Sequence, residues 1–435
     1  MIGGCVMLDR LFQLSEHKTT VRREVVAGLS TFLTMSFIIA VNPAILSDSG
    51  IDFAAAFVAT IIATVVGTLI MGLYAGWPVA VAPGMGLNAF FTYVVVLGYG
   101  FSWQQGLTAV LVSSLLFLIL SATKLRSWLL QSVPSALQAG ITAGIGLFLA
   151  IIGLTNAGIV VSNPDTIVAL GAVMSPEFML AVFGLLLIAG FEYRGIKGGI
   201  LLGMLVISAI GWATGLAGFN GIASAPPVAS AAFQLDFSAL TSPAFMSVVF
   251  VMLFVDFFDT TGTLTAISEV AGKRKEDGTI ENIDKAVYAD TSASVVGALA
   301  GTSNMTTYLE SAAGIRAGGR TGLTAVVIAL FFVSCLFFEP LFASIPVFAT
   351  APALIYVAAQ FMTALRRVDW DDLAEALAVM VTAILMPLTF SIAAGIAFGF
   401  ITYVVMKVMA GKTKDLNAGL WTIVAFAGIW LWLSA

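Results

Sequence analysis

The chain has 435 residues, of which 60% are hydrophobic and only 10% are charged, and its formal net charge is −5. So few charged residues cannot cover the surface of a soluble protein of this length, which excludes soluble enzymes and nucleic-acid-binding proteins. The two cysteines, Cys5 and Cys335, predict no disulfide framework, and the single histidine, His17, excludes a histidine metal site.

Apolar stretches of about 20 residues, long enough to cross a bilayer as helices, recur along the chain. We predict an all-α polytopic membrane protein with fourteen transmembrane segments, numbered here in chain order: 25–46, 53–76, 80–98, 104–122, 135–157, 177–192, 198–217, 244–271, 286–301, 303–316, 321–338, 348–364, 372–390 and 392–410. The mostly polar residues 1–24 form a predicted tail without a cleavable signal.

The apolar stretch 418–435 follows these segments and is rather short. Its tryptophans, Trp421, Trp430 and Trp432, are typical of residues that anchor at the membrane surface. The stretch predicts either a fifteenth span or a helix that lies in the interface, and we favour the interfacial helix.

All 19 lysine and arginine residues lie on one side of this arrangement. They precede segment 1 or follow an even-numbered segment, whereas the opposite loops carry acids such as Asp48, Asp165 and Glu339. By the positive-inside rule, we expect a multi-pass protein of the inner or plasma membrane with a cytoplasmic N-terminus.

Similar short peptides occur in the same order in the two halves of the chain: GLTAV at 106–110 and 322–326, VVGTL at 65–69 and VVGAL at 295–299, SVP at 132–134 and SIP at 344–346, GILLG at 199–203 and GIAFG at 395–399. Chance matches among small apolar residues are the alternative explanation. However, basic residues follow the first GLTAV segment and precede the second, so the two copies cross the membrane in opposite directions. This pattern predicts a 7+7 inverted repeat, which is typical of secondary transporters.

Segments 3 and 10 do not resemble regular membrane helices. Pro83, Gly84 and Gly86 prevent a regular helix from beginning before about Met85, and segment 10 is short and rich in serine and threonine. Irregular backbone at membrane depth is tolerated only inside protein or beside a cavity. We therefore predict two facing short strands, each followed by a half-helix near the membrane midplane.

Three acids lie at membrane depth in this arrangement, namely Asp256, Asp259 and Glu310. Asp256 and Asp259 are three residues apart and share one helix face. No lysine or arginine lies at that depth to pair with them, which leaves two interpretations: structural carboxyls bonded to threonine or serine, or functional groups that bind a substrate and carry protons. A carboxylate can accept two N–H bonds from a planar heterocycle, and Asn88 can bind a mixed donor–acceptor edge.

Four stretches resemble the signatures of AzgA-like purine permeases of the nucleobase–cation symporter-2 family: AGLSTFLTMSFIIAVNPAIL (27–46), APGMGLNAFFTY (82–93), FVDFFDTTGTL (254–264) and GTSNMTTYLESAAGIRAGGRTGLTAV (301–326). The chain departs from the common pattern at Asn304, Met305 and Arg316, which leaves the base preference open. The resemblance implies proton-coupled uptake of adenine, guanine or hypoxanthine, with protons in place of any cofactor. The sequence leaves the oligomeric state open, and a homodimer through the gate domain is one arrangement to consider.

The resemblance further implies that a core domain moves against a gate domain. The core domain comprises 25–126 and 243–338 (segments 1–4 and 8–11), the gate domain comprises 127–242 and 339–411 (segments 5–7 and 12–14), and 412–435 forms a C-terminal apolar segment. Asp256 and Glu310 would be the main purine ligands, Asp259 and Glu310 would couple protons, and further substrate contacts would come from Gly86, Asn88, Leu309 and Ser311.

Three other functions fit parts of the pattern. A uracil or xanthine carrier of the same fold is the nearest alternative. An intramembrane Mg²⁺-dependent prenyltransferase would use the Asp256–Asp259 spacing, but it needs a second acidic cluster, and only the 277–284 loop offers one. A channel would need a repeated pore segment, which the sequence lacks.

Overall fold

A computed structural model describes residues 2–123, 128, 132–274 and 279–434, with side chains for 7–123, 128, 132–274, 279–428 and 431. Lys124, Arg126 and Lys275 of the predicted charge pattern lie outside the described residues, as do the side chains of Trp430 and Trp432. The protein is mostly helical, at 70%.

Helices occupy all fourteen predicted segments: Val21–Met35 and Ile38–Ser47, Phe53–Ile70, Met85–Ala89, Trp103–Ser121, Ser135–Asn156, Pro176–Tyr193, Gly199–Thr214, Pro243–Val270, Ile283–Ala300, Ser311–Arg316, Gly322–Ser334, Val347–Phe361, Leu373–Thr389 and Ile392–Met409. Turns of π-helix, Met71–Ala75 and Phe90–Val96, extend segments 2 and 3. Further helices are Ile2–Phe12, Glu339–Ala343 and Ala418–Ser434.

Nine helices in the described ranges are long and apolar enough to cross a membrane. Segment 9, Ile283–Ala300, is not among them, and it carries three charged residues, Asp284, Lys285 and Asp290. Segment 10 is also excluded because its helix is only six residues long. Segments 3, 7 and 13 form apolar helices that are shorter, whereas segments 9 and 10 carry polar residues that belong inside the protein and not against lipid.

The predicted strands of segments 3 and 10 are present. Val81–Pro83 pairs antiparallel with Met305–Thr307, with Ala82 opposite Thr306 at the centre. The hydrogen bonds continue past the strands, since Tyr308 N donates to Ala80 O at 3.0 Å and Gly84 N donates to Asn304 O at 2.9 Å. Pairing inside the protein satisfies the backbone groups that could not be exposed to lipid.

A second pair of strands, Val160–Asn163 and Ile167–Leu170, forms an antiparallel hairpin between segments 5 and 6. The all-α prediction missed it. Its side chains are largely exposed, with Ile167 at 77% and Leu170 at 67%, so it buries no continuous apolar face that the sequence pattern could reveal.

The segments pack in two groups. Segments 1, 2, 4, 8, 9 and 11 contact one another around the strand pair, whereas segments 5, 6, 7, 12, 13 and 14 contact one another beside it. Glycines permit the close approach of helices within each group: a Cβ at Gly72 would collide with Gly322 O in the first, and one at Gly140 would press on Val379 in the second. We call these two groups of segments the core group and the gate group.

The start of the chain packs on segment 11. Phe12 and Leu14 bury their side chains against Leu323 and Val327. The helix of segment 1 begins at Val21, inside the predicted tail, and its first turn contains Glu24, which is 0% exposed. The polarity of residues 1–24 predicts that they lie in solvent. The surface that covers them comes from a distant part of the chain, which local polarity does not reveal.

The C-terminal helix Ala418–Ser434 packs along segment 14. Leu420 is 0% exposed, and Asn417 Nδ2 donates to Ser132 O at 3.2 Å. The first turns of this helix are therefore held against the protein.

Candidate functional site

A cavity of about 200 Å³ lies between the two groups of segments. Segments 8 and 10 form one wall, which contains the following residues: Phe258, Asp259, Gly262, Thr263, Ala266, Thr306, Thr307, Tyr308, Leu309 and Glu310. Segments 5 and 12 form the opposite wall with Thr142, Val357, Gln360, Phe361, Thr363, Ala364 and Arg367. We call these the core wall and the gate wall.

Two of the predicted acids, Asp259 and Glu310, lie on the core wall. Asp259 comes from segment 8, and the hydroxyl of Thr306, in the centre of the strand pair, lies beside it. Glu310 directly precedes the helix of segment 10, and its carbonyl oxygen is 3.5 Å from the Thr34 hydroxyl of segment 1. The structure thus brings the two carboxyls predicted for proton coupling to one cavity, together with Leu309.

Asp256 lies one helical turn from Asp259 but does not line the cavity. Its side chain is 1% exposed. Oδ2 accepts a hydrogen bond from Asn304 Nδ2 at 3.1 Å, whereas Oδ1 has no partner among the described residues. The nearby Ser294 hydroxyl does not fill this role, because it donates to Met305 O at 3.0 Å. A buried carboxylate oxygen without a donor is costly, so it marks a position where a ligand could bind.

Asn88, Gly86 and Ser311 also lie behind the cavity surface. Asn88 Oδ1 accepts a hydrogen bond from Ser303, and its Nδ2 has no partner in the described part of the chain. Ser311 Oγ accepts from Ala80 N at 3.0 Å, and a Cβ at Gly86 would collide with Ile145. In this conformation, Gly86 permits close packing and Ser311 holds the two broken segments together.

Asp290 is an acid that the sequence analysis did not assign to the site, and the structure buries it completely in segment 9. Its two oxygens accept from Thr260 of segment 8 at 2.5 Å and from Thr307 of the strand pair at 2.7 Å. Asp290 therefore fixes segment 8 to the strand behind Asp259. Its position inside a predicted membrane segment was the signal in the sequence.

Arg367 is a second residue that the sequence interpretation missed. It was assigned to a loop after segment 12, but it lines the open end of the gate wall, and it forms no ion pair within the described ranges. A cation therefore lies at the mouth of a cavity whose opposite wall carries two acids. Opposite charges across such a mouth attract over several ångströms.

The described residues contain no group of three or more His, Cys, Asp or Glu side chains that could hold a metal ion. The cavity instead offers carboxyl oxygens on one wall and an amide, hydroxyls and a guanidinium on the other. Together with the aromatic side chains of Phe258 and Phe361, these groups suit a small planar molecule that has hydrogen-bonding edges.

The arrangement of helices is that of known membrane transporters. The transmembrane domain of the cyanobacterial bicarbonate transporter BicA is similar with a TM-score of 0.63 at 17% identity, covering 89% of this chain and 97% of that one. The murine anion transporter Slc26a9 gives a TM-score of 0.64 at 10% identity, covering 92% and 72%. The chain therefore has the fold of these multi-pass membrane proteins.

Comparison of sequences specifies the family. The Permease family model Xan_ur_permease matches residues 22–409. Adenine permease AdeP of Escherichia coli (strain K12) is 43% identical over 416 residues, covering 95% of this chain and 94% of the relative. Guanine/hypoxanthine permease PbuO of Bacillus subtilis (strain 168) is 41% identical, covering 94% and 96%. The chain belongs to this permease family, which confirms the nucleobase–cation symporter-2 resemblance, and it is a transporter and not an enzyme.

Proposed function

We propose that this protein takes up purine nucleobases together with protons, by alternating movement of the core group of segments against the gate group. The observation that carries the proposal is the cavity between the two groups, with Asp259 and Glu310 on its core wall. Relatives named as adenine permease and guanine/hypoxanthine permease support the substrate class.

In this proposal the base binds with the N–H of its imidazole ring toward the acids. Glu310 accepts a hydrogen bond from the base. Asp256 accepts another through its unpartnered Oδ1 after the side chains between Asp256 and the cavity have moved aside. Met85 also lines the cavity, and its flexible side chain suits such a movement. Asn88, with its unpartnered Nδ2, is a supporting donor.

Protons are the coupling ion in this proposal. Asp259 lines the same cavity, whose open end carries Arg367 and faces the side of the bundle with the basic residues. By the positive-inside rule this side is cytoplasmic. Asp259 could therefore exchange a proton with the cytoplasm while the deeper acids hold the base.

The fourteen spans and their 7+7 inverted repeat belong to the proposal. Two features support the repeat: the two GLTAV peptides lie in the first turns of helices Trp103–Ser121 and Gly322–Ser334, and Val81–Pro83 and Met305–Thr307 pair antiparallel about one centre. A cysteine at the exposed Gln234 should then react with an impermeant thiol reagent outside intact cells, whereas one at the exposed Lys414 should not. Labelling of the second position would refute the span count.

The gate group is also the proposed homodimer surface. Little of segment 6 is buried inside the protein, since only 17% of Pro176–Tyr193 is buried and Leu186 is 66% exposed. Lipid can cover such a surface, but a second copy can as well.

The test is uptake of labelled adenine, guanine and hypoxanthine in cells that lack their own purine carriers. We expect concentrative uptake that a protonophore abolishes, and competition among adenine, guanine and hypoxanthine but not by uracil or xanthine. Uptake that uracil or xanthine inhibits as strongly as these three bases would instead support the alternative carrier, and uptake insensitive to a protonophore would refute proton coupling.

A further inference from the structure

Gln360 is the one carboxamide among the described residues that line the cavity. It lies on segment 12, in the gate wall, and faces the wall that carries Asp259 and Glu310. The other polar groups of the gate wall are the hydroxyls of Thr142 and Thr363 and the Arg367 guanidinium. Gln360 is half-buried, so part of its side chain is accessible to a molecule in the cavity.

The chemistry of the two walls differs. Ionised carboxylates only accept hydrogen bonds, so the acids of the core wall can bind N–H groups but cannot themselves donate to an acceptor on the ligand. A carboxamide donates through its NH₂ and accepts through its oxygen, and it can turn to exchange the two. The Tyr356 hydroxyl lies beside the Gln360 amide, one turn earlier on the same helix, and supplies a polar neighbour that can hold either orientation.

We propose that Gln360 is the specificity-determining residue that recognises position 6 of the purine ring, an inference that rests on the proposed function. A free base offers an N–H on its imidazole ring, which the core-wall acids accept. The opposite edge then faces the gate wall, where adenine presents an amino donor beside the N1 acceptor, and hypoxanthine or guanine presents the O6 acceptor beside N1–H.

A glutamine amide pairs with either edge through two hydrogen bonds after a half-turn of its end group. At position 6 the site therefore accepts an amino or an oxo group and rejects a methyl group, whereas position 2 is not read by Gln360. A methyl group at position 6 leaves the partly buried Gln360 amide without its second hydrogen-bond partner. A loss of this kind discriminates strongly against the methylated purine.

The test measures affinities of purified protein for adenine, hypoxanthine and 6-methylpurine, in the parent and in Gln360→Met. The parent should bind adenine or hypoxanthine about tenfold more tightly than 6-methylpurine, since one neutral hydrogen bond and its unsatisfied partner are at stake. In Gln360→Met, whose side chain has similar length and no hydrogen-bonding amide, this preference should fall below about twofold.

Gln104→Met makes the same change outside the cavity, on segment 4, and should keep the parent's preference. A shortened amide in Gln360→Asn should also lose the preference, which provides a second variant if the methionine protein is unstable. If both Gln360 variants still prefer adenine or hypoxanthine as strongly as the parent, position 6 is read elsewhere and the inference is wrong. A parent protein that binds none of the three purines would instead refute the proposed function and the inference with it.

Discussion

Two buried carboxylates in this protein, Glu24 and Asp256, have opposite hydrogen-bond environments. Glu24 accepts from the Thr19 hydroxyl at 2.9 Å, the Arg320 N–H at 3.0 Å, the Thr321 N–H at 3.3 Å and the Thr324 hydroxyl at 2.5 Å. Asp256 has one donor, Asn304 Nδ2, and one oxygen without a partner among the described residues. Both are at most 1% exposed.

The difference separates a structural acid from a candidate ligand-binding acid. The donors around Glu24 include the backbone N–H groups at the start of segment 11, where a negative charge is favourable. The environment of Glu24 is therefore complete without a ligand. The environment of Asp256 would be completed by an N–H group that the described residues do not supply.

The largest effect on stability should come from Glu24→Ala. Removing the carboxylate leaves two backbone N–H groups and two hydroxyls without their acceptor, at about 1–3 kcal/mol for each group that finds no substitute. Because the hydroxyls can turn to other acceptors, we expect a loss on the order of 3 kcal/mol in unfolding free energy, measured by denaturation in detergent. Glu16→Ala, an exposed acid of the same tail, is the control and should change stability by less than about 0.5 kcal/mol. Equal losses would mean that the Glu24 contacts contribute nothing specific.

Asp256→Asn and Glu310→Gln should act on binding. Each replaces a charge-assisted acceptor with a neutral amide, a loss of roughly 1–3 kcal/mol, or about 5- to 150-fold in purine affinity. Equilibrium binding to purified protein measures it, with Asp165→Asn in the exposed loop after segment 5 as the control. Either variant that binds purine as tightly as the parent would remove that residue from the site.

Asp259→Asn should separate binding from coupling. Asp259 lies at the surface of the open cavity, so its neutral replacement should leave purine affinity within about threefold, a change of less than 1 kcal/mol. Exchange of internal for external base should continue, whereas accumulation driven by a pH gradient should be lost. If the variant still concentrates hypoxanthine and a protonophore still abolishes that accumulation, the proton is carried by another group, and Glu310 is the next candidate.

The smallest effect concerns the contact between the two groups of segments. Lys197, in the loop before segment 7, donates to the Ser30 hydroxyl of segment 1 at 2.6 Å. Lys197 is exposed, so the bond contributes about 1 kcal/mol or less. Lys197→Met should change the transport rate by less than about fivefold, and adding Ser30→Ala should change it no further, because both variants remove the same bond. Additive effects would mean that the two residues act independently.

The sequence predicted the features that depend on local composition. Pro83, Gly84 and the run of hydroxyl residues after Thr302 identified the broken segments, and the structure confirms the strands at Val81–Pro83 and Met305–Thr307. The acids of segments 8 and 10 were identifiable because a carboxylate is unexpected among apolar residues.

The features that the sequence did not predict depend on contacts between distant parts of the chain. Glu24 lies in a polar stretch of the sequence. Its burial depends on hydrogen-bond donors from a distant part of the chain, the farthest of which is 300 residues away. Arg367 looked like a loop residue because the depth of a segment end depends on packing and not on composition. No sequence pattern indicated Gln360. An isolated amide in an apolar helix is recognisable as part of a site only when the opposite wall of the cavity is known.

The most direct test of the account measures two quantities on two variants, Glu24→Ala and Asp256→Asn: the thermal unfolding midpoint in detergent and the dissociation constant for adenine or hypoxanthine. The account predicts a crossed result. Glu24→Ala should unfold at a lower temperature and bind with the parent's affinity, whereas Asp256→Asn should unfold near the parent's temperature and bind at least about fivefold more weakly. An Asp256→Asn protein that loses stability but keeps its purine affinity would contradict the account, because Asp256 would then be a structural acid like Glu24.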